Sequence, residues 1–187
     1  MVFDSRSIPR IAPVVPRQAP LFAFALLSAA SALASLVFAC ATPFAAFAVI
    51  AAAILPLRQA LLVVLGGWLV NQGLGFGVLH YPIDLTTMLW GVVIGAAALA
   101  ATLAASRLLR ASLRWPAPLA VTLAFAGSYA AYELTLLAAT PVLGGASAFT
   151  PAIVTRIGLT SMAWLLGLTA LCEIVRMLNP ARSSRTV

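Results

Sequence analysis

The chain has 187 residues, of which 63% are hydrophobic and 8% charged, with a mean hydropathy of +1.09. A water-soluble domain carries roughly a quarter charged residues, so this composition excludes a surface that faces water and predicts one that faces lipid. The net charge of +7 does not point to nucleic acid, because all eleven basic residues are arginines that sit in gaps between apolar runs rather than along one helix face.

Residues 1–20 hold Arg6, Arg10 and Arg17 with four prolines, and read as a polar, non-helical leader. Apolar segments follow at approximately 21–40, 43–57, 60–79, 85–106, 117–139 and 152–175, and residues 179–187 form a basic tail. The sequence therefore predicts an all-α membrane domain over 21–178 as a single unit. A spanning helix needs roughly 20 apolar residues. Five segments meet that, and the second, bounded by Pro43 and Pro56, is short.

The first segment carries small residues at helical spacing, Ala25, Ala29, Ala30 and Ala34, with Ser28, Ser31 and Ser35. Such a face lets another helix come very near, either within the bundle or in a partner subunit. Cys40 follows this segment, but the preceding Val37-Phe38-Ala39 carries a bulky residue where a cleaved lipoprotein signal needs a small one. Helix 1 is expected to be retained.

Charge placement decides whether the short second segment crosses. With six crossings and both termini in the cytoplasm, ten of eleven arginines lie inside and only Arg156 lies outside. A re-entrant second segment would put Arg107, Arg110 and Arg114 outside, against the positive-inside rule. Six crossings are the expectation, with loops 40–42, 80–84 and 140–151 on the outer side. Cys40 and Cys172 then fall at opposite faces, which excludes a disulfide between them.

The third segment carries Trp68, Asn71 and Gln72, then Gly73, Gly75, Phe76 and Gly77, and ends in His80-Tyr81-Pro82. Adjacent amides in a membrane helix either tie helices together or form the polar floor of a pocket. The glycines admit close approach by a helix or by a bulky flat ligand. A lone histidine cannot build a protein metal site, but imidazole can supply one axial ligand to a metal already held by a macrocycle. Tyr81 fits an interfacial aromatic as well as a pocket residue.

Asp84 reads as the N-cap of the fourth helix with Thr87 three residues on, and Trp90 follows in that helix. The fifth holds Tyr129, Tyr132 and Glu133, and a carboxylate there is costly unless partnered. Two partners are open, Arg156 in the second turn of helix six or a ligand. Thr150 before Pro151 predicts an N-cap and first-turn proline, while Glu173 and Arg176 read as a structural i,i+3 pair. On this topology Trp68, Asn71, Gln72, Phe76, His80, Tyr81, Asp84, Trp90, Tyr129, Glu133 and Arg156 are candidates to line one pocket open to the outside.

The stretch Asn71-Gln72-Gly73-Leu74-Gly75-Phe76-Gly77-Val78-Leu79-His80-Tyr81-Pro82, on the third of six helices, resembles the BtuM-like family. These are cobalamin-specific substrate-binding (S) components of energy-coupling factor transporters. The likeness covers the whole chain in layout and this dozen residues in motif.

It implies a corrinoid (cobalamin) captured from the outer face as transported ligand, with no cofactor of the chain's own. His80 would be the axial ligand to cobalt, where the family often has a cysteine. It further implies a bacterial inner-membrane location and coupling through Ala25/Ala29 or Ala30/Ala34 to a membrane scaffold and ATPase subunits. The chain has no phosphate-binding loop, so any ATP use must lie in those partners, and the chain is expected to be a transport or binding protein and not an enzyme. An intramembrane enzyme using Glu133 and His80 lacks a nucleophile or metal-ligand spacing such as HExxH. An S component for another vitamin and a structural assembly subunit remain as alternatives.

Overall fold

The computed structural model describes residues 11–38 and 42–179. Within them the chain forms α1 (Ala19–Phe38), α2 (Phe44–Ile54), α3 (Leu57–Gly77), α4 (Leu85–Ala111), α5 (Ala117–Leu143), a 3-10 turn (Ala146–Phe149) and α6 (Pro151–Leu178). No strand occurs among the described residues. Five helices, α1 and α3 to α6, are long and apolar enough to cross a membrane. At 1.5 Å per residue the eleven residues of α2 reach roughly 16 Å, about half of a hydrocarbon core. The chain is thus a multi-helix protein of membrane character.

Side-chain pairings fix the helix directions. Phe24 packs on Gly66, Ser31 Oγ donates to Gly67 O at 2.9 Å, and Asn71 Nδ2 donates to Ser35 Oγ at 2.9 Å. The numbers rise together, so α1 and α3 run parallel, and α2 returns the chain between them. Trp68 lies on Gly95 while Gln72 lies on Gly91, which makes α3 and α4 antiparallel. The C-termini of α3 and α5 and the N-termini of α4 and α6 therefore share one end of the bundle.

Helix α2 is the hub. Ten of its eleven residues are buried, and it packs against α3, α4, α5 and α6. Phe44 and Phe47 meet edge to face at 5.8 Å, Phe44 lies 6.3 Å from the Tyr132 ring on α5, and Phe47 lies 6.4 Å from Trp164 on α6. Helix α6 rests chiefly on α2 through one stripe, Ser161, Leu165, Leu168 and Cys172. Close packing of this kind, aided by small residues, replaces the hydrophobic drive that lipid removes. Ser128 Oγ bridges the helices, donating to Ala101 O at 3.0 Å and approaching Ala45 O at 3.4 Å.

Several expected boundaries shift. Helix α3 begins at Leu57 and stops at Gly77, and α4 and α6 each run further toward their C-termini than the apolar pattern indicated. Helix α5 continues through Pro141 to Leu143, where the sequence suggested a loop from Thr140 onward. Proline lacks the N–H that would reach the carbonyl four residues back. Here the Thr140 hydroxyl donates to Leu137 O at 2.8 Å in its place.

The expected leader is described only from Ile11, which is buried and donates its N–H to Ala53 O at 3.2 Å. Cys40 lies outside the described residues, as does the tail from 180, and Cys172 is a free, buried thiol.

Burial is confined to a slab that stops short of one end. No residue of α3 beyond Gly75, of α4 before Gly91, of α5 after Tyr132 or of α6 before Ser161 is buried. This is the end where α2 begins, so the short helix leaves its neighbours without a central partner there. We call this the open end.

Candidate functional site

The open end gathers most of the polar residues that apolar patterning leaves unexplained. Its geometry starts with how α3 stops. Val78 and Leu79 both donate N–H to Leu74 O at 2.9 Å, and His80 then adopts a left-handed backbone with φ of 56°. That turn carries Tyr81 back over the helix, where its N–H donates to Gly75 O at 3.0 Å. A methyl on Gly75 would lie 2.7 Å from two atoms of the Tyr81 ring, so only glycine admits the ring there. Phe76 meets the same ring edge-on at 6.3 Å.

His80 is the only residue other than glycine with positive φ among those described. Its side chain is exposed at the rim. A non-glycine residue in this region is uncommon, and asparagine, aspartate and histidine are several-fold enriched among those that occur. The backbone around the imidazole is therefore held by Tyr81 and Gly75 rather than by chance. A methyl on Gly73 or on Gly77 would meet nothing within 4 Å, which leaves open space on those sides of α3.

Deeper in α3 the amides are occupied. Asn71 Nδ2 donates to Ser35 Oγ on α1 at 2.9 Å and to Thr42 Oγ1 at 2.8 Å, and its Oδ1 accepts from Gln72 Nε2 at 3.1 Å. Ser35 in turn donates to Ser31 O at 2.7 Å. Trp68 Nε1 donates to Gly91 O at 2.9 Å, with its ring over Gly95. Of the two sequence readings of Asn71, helix tying is the one its geometry serves. Gln72 stacks its amide on Gly91, beside that network.

On α4, Asp84 caps the helix as expected, accepting from Thr87 N and from Thr87 Oγ1, both at 2.9 Å. The hydrogen bonds from Thr87, first its backbone N–H and then its hydroxyl, hold the Asp84 carboxyl below its ordinary value. Asp84 is thus engaged by its own helix. Trp90 is half-buried and reaches toward Gly145 in the loop before α6, where Gly144 and Gly145 both have positive φ. Thr150 caps α6 by accepting from Ile153 N at 3.4 Å, with Pro151 in the first turn.

On α5, Tyr129 donates its hydroxyl to Val154 O on α6 at 2.6 Å, stacks on Phe125 at 6.1 Å, and rests its ring on Gly158. Tyr132 is buried against Phe44. Glu133 is half-buried, and its Oε1 is fully shielded with no hydrogen-bond partner. The ion pair open in the sequence does not form: Arg156 is exposed, and among the described residues the only ion pair is Glu173–Arg176. That i,i+3 pair is the structural one the sequence indicated.

The expected residues thus fall into two groups. Trp68, Asn71, Gln72 and Phe76 on α3, with His80 and Tyr81 in the turn after it, form one group, tied to α1 through Asn71 and to α4 through Trp68, whereas Tyr129 and Glu133 belong to α5, where Tyr129 is tied to α6. Helix α4 packs between α3 and α5.

Sequence reasoning missed Gly91 and Gly95 as receiving surfaces, although their four-residue spacing matches that of Trp68 and Gln72 on an antiparallel neighbour. It also missed Thr42 and Gly158. An apolar groove of about 370 Å³ on α6, lined by Ala163, Trp164, Gly167, Leu168 and Leu171, holds none of the expected residues.

On α1, Ala30 and Ala34 are buried with Ala23, Leu27, Ser31 and Ser35, while Ala25 and Ala29 are exposed beside Leu21, Leu33 and Leu36. The Ala30/Ala34 pair is used within the bundle. Only the Ala25/Ala29 side remains for a partner.

Comparison of the chain with family models, curated proteins and solved structures found no match. Among the described residues, no three of His, Cys, Asp and Glu converge to hold a metal ion.

Proposed function

We propose that the chain is a six-crossing protein of the bacterial inner membrane, with both termini in the cytoplasm. In this reading it captures a corrinoid from the outer face as the substrate-binding component of a BtuM-like uptake system. The parallel run of α1 and α3 supports six crossings, because the chain must return between them through α2. The arginine distribution supports the orientation.

The observation that carries the ligand reading is His80. An exposed imidazole, held on a left-handed turn at the rim of a widening bundle, suits a single axial bond to a metal that brings its own macrocycle. The open faces at Gly73 and Gly77 suit a flat, bulky ring. Gln72, Phe76, Tyr81, Trp90 and Glu133 remain to contact its periphery. Asn71 and Tyr129 act through the helices they tie, and Asp84 acts by capping α4. Coupling to a scaffold with ATPase subunits would use the Ala25/Ala29 face of α1, and any ATP hydrolysis would reside in those partners.

The test is the visible absorption spectrum of protein purified with cobalamin, wild type beside His80→Gly. Glycine is the informative replacement because it keeps the left-handed turn, whereas alanine there costs roughly 1–2 kcal/mol of backbone strain. A corrin spectrum that shifts in wild type and reverts toward the free vitamin in His80→Gly is the expected result. Identical spectra would retain the vitamin and remove His80 from cobalt. A colourless wild type at saturating cobalamin would refute the corrinoid reading.

A further inference from the structure

The opposite end of the bundle carries a feature that ligand capture does not use. The N-termini of α1 and α3 and the C-termini of α4 and α6 meet there. Arg17, Arg58, Arg107, Arg110 and Arg114 lie at this end, and all five are exposed and make no ion pair among the described residues. Of the four carboxylates in the sequence, Asp84 caps the far end of α4, Glu133 lies within α5, and Glu173 is taken by Arg176. Asp4 lies outside the described residues.

Three of the five arginines are concentrated at one corner. Arg107 and Arg110 are three residues apart on the last turns of α4, hence on one face. Arg114 follows in the turn to α5. That turn is tightly built: Ser112 N donates to Leu108 O at 3.0 Å, Ser112 Oγ donates to the same oxygen at 2.6 Å, and Trp115 N donates to Ser112 O at 3.0 Å. Beside the guanidiniums the corner exposes Leu113 at 54% and Trp115 at 49%. Guanidinium groups favour phosphate through paired N–H donors, and an exposed tryptophan at a helix end favours the headgroup boundary.

We propose that this corner, Arg107, Arg110, Arg114 and Trp115, is a binding site for the phosphate headgroup of an anionic phospholipid. The occupant follows from charge and position together. The corner is cationic with no counter-ion among the described residues, sits where two membrane-length helices end, and pairs its charges with apolar surface that acyl chains would cover. The proposal rests on the membrane character of the chain and not on the corrinoid reading.

The test uses the full chain in detergent or nanodiscs, titrated with phosphatidylglycerol and, in parallel, phosphatidylcholine, with bound lipid read by mass spectrometry of the intact protein. Wild type is expected to prefer phosphatidylglycerol. The triple variant Arg107→Gln/Arg110→Gln/Arg114→Gln is expected to lose on the order of a hundredfold in that preference, at about fivefold per arginine. Raising the salt concentration on wild type weakens the preference, and this arm needs no variant to fold.

Equal binding of the two lipids by wild type would overturn the proposal. So would an unchanged preference in the triple variant, which would place the lipid elsewhere. Displacement of the lipid by millimolar inorganic phosphate would overturn it too, by showing a site for soluble anions.

Discussion

Replacing Asn71 with alanine separates the two roles a polar residue in a membrane helix can have. Its amide makes three side-chain hydrogen bonds, two donated to Ser35 and Thr42 and one accepted from Gln72. Interhelical hydrogen bonds in membrane proteins average about 0.6 kcal/mol each, so the two that leave α3, to Ser35 and Thr42, contribute roughly 1 kcal/mol. For a chain of this size 1 kcal/mol moves the unfolding midpoint by about 2–4 °C. Asn71→Ala should therefore lower the midpoint by about 2–4 °C, followed by tryptophan fluorescence in detergent. Gln72→Ala removes only the bond within α3 and should lower it less. Cobalamin affinity, measured well below either midpoint, should stay within about twofold of wild type for Asn71→Ala. An unchanged midpoint with a tenfold loss of affinity would refute the reasoning and make Asn71 a ligand contact.

Three further substitutions probe the open end. Gly75→Ala drives a methyl into the Tyr81 ring and should shift the bound-corrinoid spectrum although the imidazole of His80 is intact. Gly77→Ala puts a methyl on the open face offered to the ring and should weaken corrinoid binding while leaving the unliganded fold intact. Glu133→Leu removes a shielded oxygen that has no partner, a situation that costs about 1–3 kcal/mol. The unliganded variant should melt higher, and its corrinoid affinity should fall. A variant with the melting point and affinity of wild type would show that Glu133 faces neither a low-dielectric interior nor the ligand.

The helical architecture was legible because lipid imposes a strong filter. Runs of apolar residues broken by arginine and proline leave little choice of secondary structure, and Asp84, Thr150 and Pro151 marked their helix starts correctly. What escaped was pairing. Asn71 looks the same in sequence whether it faces a ligand or Ser35, and only the parallel packing of α1 on α3 decides between them. Glu133 and Arg156 invited an ion pair by charge alone, but the pair does not form, with Arg156 exposed and Glu133 half-buried. The continuation of α5 through Pro141 depends on the Thr140 hydroxyl taking over Leu137 O, a local exchange that helix-breaking rules pass over. The glycines of α4 were informative only as a surface for Trp68 and Gln72, which becomes visible once the two helices are known to run antiparallel.

The brevity and burial of α2 bear on how the protein is made. A segment of eleven residues offers an insertion machinery little to recognise, since a stable span needs nearly twice that length. Its stabilising neighbours α4, α5 and α6 begin some 30 to 100 residues later in the chain. During synthesis α2 emerges before most of the surfaces that will enclose it exist. The centre of this protein is therefore fully enclosed only once α6 has been delivered. Truncation before α6 should leave α2 with one flank uncovered, as a natural target for quality-control proteolysis.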